Sequence, residues 1–338
     1  GARRTFFATN GTSTANKGIF QTLLAPGEKL LLDRNCHKSV HHGVVLSGAH
    51  PIYLDSSVNK KFSVYGPVPK KTLFNAIEEH PDAQALILTS CTYDGLRYDL
   101  PPIIEAAHAK GIKVIIDEAW YGFARFHPAF RPTAMEAGAD YATQSTHKVL
   151  SAFSQSSMIH VNDPSFNEHL FRENFNMHTS TSPQYSMIAS LDVARKQAML
   201  EGYKLLSRTL ELAKEVRAQI NSTGVFRVLE LPDLLPDEVK HDDIQLDSTK
   251  VTVDISRCGF TVEDLIRELF ERYNIQVEKS TFNTLTLLLT IGTTRSKVSR
   301  LYDALMRIAR EGRAPRRLYQ IPEIPGFTDL RYLPRDAF

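Results

Sequence analysis

Cysteine is scarce in this 338-residue chain. Cys36, Cys91 and Cys258 stand far apart, and an odd count with no CxxC spacing excludes a disulfide framework or a cysteine-built metal centre. A reducing compartment, the cytoplasm, is expected from that usage. Long apolar runs are missing too, and "GARRTFF" at the start lacks the layout of a secretory signal, so a membrane is not an expected partner. Charge of one sign is not in excess. Forty basic side chains face 38 acidic ones, for a formal net charge of +2. The cluster "RAPRR" at 313–317 is too short to follow a phosphate backbone, which argues against nucleic acid. Neither GxGxxG nor GxxxxGK[ST] occurs, which disfavours a dinucleotide or P-loop site.

What is present is an alternation of short β-rich runs with helical stretches. Strands are expected at "TFFATN" (5–10), "KLLLD" (29–33), "HPIYL" (50–54), "ALILTS" (85–90), "KVIID" (113–117) and "YATQS" (141–145). Helical patterns lie between them, among them 13–25, with Thr12 or Ser13 as its cap, 39–48 and 99–111. Such alternation implies an α/β domain with a mainly parallel sheet covered on both faces. After residue 183 the pattern changes to two long helices, 184–200 and 202–220. A Pro-rich connection and a compact α+β unit follow, with strands at 250–255 and 284–291 and helices at 261–273 and 295–312. The division expected is a large domain over 1–220, a small α+β domain over 221–318 and the start of a further segment at 319–338.

In parallel α/β sheets, ligand-binding groups gather beyond the carboxyl ends of the strands. Just past the strands stand "NGTST" (10–14), "RNCHKS" (34–39), "SCTYDG" (90–95), "DEAW" (117–120) and "STHK" (145–148). The first is either an ordinary Ser/Thr helix cap or an anion site in which Gly11, Thr12 and Ser13 meet a single phosphate. Asp117 either begins a turn or holds a nearby positive charge. His37 is a loop histidine or a ligand contact. His41 and His42 fall on a helix surface, with His42 the one able to face inward. A lone lysine is usually solvated, but Lys148 has four other strand ends for company. A desolvated lysine amine is a nucleophile towards carbonyls. Lysine, hydroxyl donors and a carboxylate together are the parts that an aldehyde cofactor with one phosphate uses, and pyridoxal phosphate is that cofactor.

The motifs "TNGTSTANK", "DRNCHKS", "SCTYDGLRYD", "DEAWYGFARFHP", "ATQSTHKVLSAFSQSSMIHV" and "NMHTSTSPQYSMIAS", with "LDSTKVTV" and "VEKSTFNTLTLLLTIG" further on, resemble the bacterial ornithine/lysine/arginine decarboxylases. The resemblance runs over nearly the whole chain. It implies a fold type I pyridoxal-phosphate enzyme: a large domain with a mainly parallel seven-stranded sheet between helices, plus a smaller α+β domain. The family's N-terminal wing and its C-terminal domain would fall outside this sequence. The resemblance further implies decarboxylation of lysine, arginine or ornithine through a Schiff base on Lys148. Asp117 would pair with the pyridine nitrogen, with His37 on one ring face and Ala119 on the other. Thr12, Ser13, Ser145 and His147 would bind the phosphate. Trp120 would lie near the substrate, and the loop with Thr181 and Ser182 would reach a neighbouring subunit's site in a homodimer. Two other readings stay open: an aminotransferase or lyase on the same fold, for which Arg295 is the candidate carboxylate clamp, and a cofactor-binding core that turns over poorly.

Overall fold

The computed structural model describes residues 1–182, 184–315, 319, 325–326 and 330–338. The end of the expected small domain at 318, Pro183 and much of 319–338 lie outside the described residues. The large sheet contains β1 (Arg4–Ala8), β2 (Lys29–Asp33), β3 (His50–Leu54), β4 (Ala85–Thr89), β5 (Lys113–Asp117), β6 (Tyr141–Gln144) and β7 (Ser157–Val161). Its order is β1-β7-β6-β5-β4-β2-β3, and only the pairings made by β7 are antiparallel. The seventh strand is therefore "SMIHV", directly after the "STHK" turn.

The two-residue period of the strands sorts their side chains into two cores. Leu31, Leu86, Leu88, Val114 and Ile116 pack on one face, against Leu73 and Ile77 of α3 (Lys70–Glu79) and Ile103 and Ile104 of α4 (Leu100–Ala109). Leu30, Leu32, Ile87 and Ile115 pack on the other, against Ile19 and Phe20 of α1 (Gly11–Leu23) and Val40 and Val44 of α2 (Lys38–Ser47). Runs such as "LLL" and "VII" are apolar throughout because helices cover both faces.

Chain order reverses between β2 and its neighbours, so the loops after β2, β4 and β5 diverge and leave a crevice at their carboxyl ends. After β6 comes a single helical turn, α5 (Thr146–Val149), and after β7 comes α6 (Glu168–Asn176). The two helices expected at 184–200 and 202–220 are one, α7 (Tyr185–Ser222), of 38 residues. Gly202, at the start of the second expected helix, is there for space. A Cβ on it would lie 2.8 Å from Phe126 Cβ.

The second half of α7 carries Leu212, Val216 and Ile220 into the core of the small domain. That domain is an antiparallel sheet of β8 (Arg227–Val228), β9 (Lys250–Asp254), β10 (Lys279–Ser280) and β11 (Thr284–Leu288), ordered β8-β9-β11-β10. Helices α8 (Val262–Tyr273) and α9 (Arg295–Arg310) cover one face over Val251, Val253, Leu285 and Leu287. The alternate positions, Thr252 and Thr286, are also buried and face the large domain.

Candidate active site

A cleft of about 400 Å³ opens at the carboxyl ends of β2, β4, β5 and β6. His37, Asp117, Ala119, Trp120 and Lys148 all line it, and Tyr93, Asp94 and Lys279 add to its wall. Asp117 ends the buried run "VIID" and is almost wholly enclosed. Its carboxylate is aimed by two donors: Asn16 Nδ2 reaches Oδ2 at 3.1 Å, and the Ala119 backbone N–H reaches Oδ1 at 2.9 Å. Asn16 is oriented in turn by Thr143, whose hydroxyl donates to Asn16 Oδ1 at 2.9 Å. The next residue, Glu118, bonds instead to Gln144 Nε2 and the Ala134 N–H, and burial raises its carboxyl to about 7.

Lys148 sits in α5, half-buried, with its ammonium 4.3 Å from the centroid of the Trp120 ring. Burial pushes its amine below the usual lysine value, while the charges of Asp117 and Glu278 pull it partly back. A larger neutral fraction makes it a better nucleophile than a surface lysine. His37 is the N-cap of α2, where its Nδ1 accepts from the Ser39 N–H. One side of its ring stays exposed to the cleft. Partial burial lowers its basicity, a fall that the Asp117 charge opposes and Lys148 reinforces, so at neutral pH it presents an uncharged ring. Neither cysteine of the cleft is a rival nucleophile: burial pushes the Cys91 thiol up to about 12 and pushes the Cys36 thiol up as well.

Gly11, Thr12, Ser13, Ser145 and His147 do not line this cleft; they stand at the β1–α1 and β6–α5 junctions, the latter pair just before Lys148 in the chain. Thr12 is not the cap of α1. The helix begins at Gly11, where φ is +80°, and Asn10 is the N-cap with no side-chain cap bond. The Thr12 hydroxyl is turned across the sheet instead, 2.7 Å from Ser145 Oγ and 3.2 Å from Ser157 Oγ. The first turn of α1 thus brings three linked hydroxyls to uncapped backbone N–H groups, with no acidic residue among them. That donor set suits one phosphate. His147 is held over the same junction by its Nδ1, 2.9 Å from the Ser156 carbonyl. Thr181 and Ser182 stand apart in an exposed loop before α7 and do not line the cleft. His41, rather than His42, turns inward, against Cys36 and the Tyr53 ring.

Comparison with known proteins decides the lineage. Residues 1–297 match the family "Orn/Lys/Arg decarboxylase, major domain". The chain is 36% identical to the arginine decarboxylase of Bacillus cereus, covering all of this chain and 73% of that one. It belongs to the Orn/Lys/Arg decarboxylase family. Among solved structures, lysine decarboxylase A from Pseudomonas aeruginosa superposes with a TM-score of 0.77 at 33% identity, over 92% of this chain and 49% of that one. The constitutive lysine decarboxylase of Escherichia coli gives 0.81 at 29% identity, over 91% and 49%. The chain thus spans about half the length of those lysine decarboxylases. Its fold is fold type I, and it is an amino-acid decarboxylase by family.

Several residues that shape this decarboxylase site escaped sequence reasoning. Asn16 and Ser157 hold Asp117 and Thr12 in place. Asn16 had a signal, because it stands four residues after Thr12 on the same inward helical face as Ile19 and Phe20. Asp94 lines the cleft from the turn after β4, Lys279 reaches it only through packing of the small domain, and Glu278 acts on Lys148 through its charge.

Proposed function

We propose that the cleft holds pyridoxal phosphate and that the chain decarboxylates a basic L-amino acid, lysine, arginine or ornithine, to its amine and carbon dioxide. The observation that carries this reading is Lys148, its basicity lowered by burial, sharing one cleft with the aimed carboxylate of Asp117. When bound, the cofactor supplies an aldehyde for the lysine amine and an electron-withdrawing ring that takes up the electron pair left by departing carbon dioxide.

The chain's own residues do the rest. Lys148 is the attachment point. Asp117, fixed by Asn16 and the Ala119 N–H, holds a proton on the pyridine nitrogen. His37 would stack on one face of the pyridine ring, and Ala119 would pack on the other. Gly11, Thr12, Ser13, Ser145 and His147 take the phosphate at the start of α1, with Ser157 supporting Thr12. Lys148 Nζ would return a proton to the substrate Cα before the amine leaves. Trp120, beside Lys148, lies at the substrate end. Glu278 is the acid placed for the cationic tip. It is exposed, partial desolvation raises its carboxyl, and the charges of Lys148 and Lys250 oppose that rise. A cation that finds an unpaired carboxylate there discriminates basic from neutral amino acids.

The partner that fits is a second copy of the chain. Tyr185, Val193, Met199, Leu200 and Tyr203 form one exposed apolar stripe on the first half of α7, next to the loop of Thr181 and Ser182. That Cys36, Cys91 and Cys258 form no disulfide suits the cytoplasm. Arg295, which an aminotransferase would need as its clamp, starts α9 with its side chain 80% exposed, 3.8 Å from Glu215. The test is a competition assay. Protein supplied with the cofactor is given equal lysine, arginine and ornithine, and cadaverine, agmatine and putrescine are quantified by mass spectrometry. One dominant amine is the expected result. A keto acid as product, or no amine and no shift of the cofactor spectrum, refutes it.

A further inference from the structure

Asp94 belongs to the turn "SCTYDG" after β4, is 1% exposed, and receives bonds from three strands of the other domain. Thr286 Oγ1 donates to its Oδ1 at 2.9 Å, Thr252 Oγ1 to the same oxygen at 3.3 Å, and Lys279 Nζ to Oδ2. Thr252, Thr286 and Lys279 are register partners across β9, β11 and β10, so a single row of the small sheet converges on one carboxylate. A buried carboxylate is tolerated only where donors replace water, and here every side-chain donor comes from the small domain. The backbone beside it is equally close-fitting. Gly95, with φ +96°, lets its carbonyl take the Asp247 N–H at 2.8 Å, and a Cβ there would lie 2.9 Å from the Asp247 carbonyl. Leu96 and Arg97 then pair with Leu246 and Gln245.

We propose that Asp94 is a positioning residue, a latch that fixes the small domain over the substrate side of the cleft. The proposal rests on the decarboxylase reading for its functional consequence. Tyr93, the residue before the latch, packs on Trp120 with ring centroids 5.4 Å apart, and Trp120 in turn meets Lys148. Lys279, on the far side of the latch, lines the same cleft. Releasing the latch therefore frees one wall of the substrate space. The groups placed to hold the cofactor (Lys148, Asp117 and the hydroxyls at α1) all belong to the large domain and stay where they are. Substrate binding falls while cofactor affinity does not.

Three variants test this. Asp94→Asn keeps the shape but removes the charge that Lys279 pairs with, Thr286→Val keeps the shape but removes a donor, and Thr286→Ser keeps the donor but removes a methyl group. The readouts are cofactor affinity by absorbance, KM and kcat for the preferred amino acid, and backbone hydrogen exchange over 94–97 and 245–249. Asp94→Asn is expected to raise KM about tenfold, the loss typical of a hydrogen bond to a charged group, with cofactor affinity within about twofold. Thr286→Val should shift KM the same way, and Thr286→Ser should resemble the unaltered protein. Faster exchange in both segments should accompany the KM change. Unchanged exchange in Asp94→Asn overturns the latch, whether or not the chain decarboxylates. Harm from Thr286→Ser with none from Thr286→Val overturns it as well, since that pattern is packing. Absence of decarboxylation by the unaltered protein overturns the functional reading instead, and exchange still decides the latch. Should Asp94→Asn fail to fold, the two Thr286 variants carry the test.

Discussion

Lys148 is disfavoured in the folded, cofactor-free protein whenever it is charged, because burial lowers its pKa. The unfolded chain binds its proton up to about pH 10.4. Between the lowered folded value and that pH the unfolded state holds more protons, so this residue's contribution to stability rises with pH across the window. Below the window the penalty is constant and complete. Lys148→Met should therefore raise the Tm of the cofactor-free protein at pH 7, with a gain that shrinks as the pH approaches 10. A variant no more stable than the parent at pH 7 would show that the Trp120 contact outweighs the desolvation. The strand-end rule made Lys148, Asp117 and His37 legible from sequence, since each follows a recognisable apolar run. Asn16, Asp94 and Glu278 were not, because their roles depend on what packs opposite them. Thr12 shows the same limit from the other side: its composition suits a helix cap, and tertiary hydrogen bonds to Ser145 and Ser157 claim its hydroxyl instead.

At the scale of elements, the six large-domain strands read from sequence reappear within a residue or two, because apolar runs buried between helices have few alternatives. The long helix is the exception. A glycine inside a helix usually costs about 1 kcal/mol relative to alanine, which makes a break at Gly202 the natural expectation. The close approach of Phe126 explains why glycine stands there. Gly202→Ala should thus lower stability by roughly 1–3 kcal/mol, the cost of overpacking, although alanine is the better helix former. Chemical denaturation would measure it, and a stabilised variant would mean that Phe126 moves aside freely. The seventh strand, "SMIHV", was also hard to see as a separate element. It follows the "STHK" turn so closely, and runs antiparallel, that no helical period announces a crossover.

For the whole molecule, the proposed docking surface for a second copy is the apolar stripe on α7 with the adjoining loop. Replacing Val193 and Leu200 together by glutamate should convert a dimer to monomers in sedimentation velocity, with the fold retained by circular dichroism. A dimer that survives both changes would place the interface elsewhere. The proposal that the loop of Thr181 and Ser182 reaches the partner's cleft predicts that the same variant loses most of its decarboxylase activity while keeping cofactor.

The central claim is that Lys148 is where the cofactor is attached, and borohydride trapping tests it most directly. The protein is incubated with pyridoxal phosphate, reduced, digested and mapped by mass spectrometry. The account predicts a phosphopyridoxyl group on the peptide bearing Lys148, at near-stoichiometric yield, and none after Lys148→Met. A stable adduct on a different lysine, or no adduct at all, would contradict it.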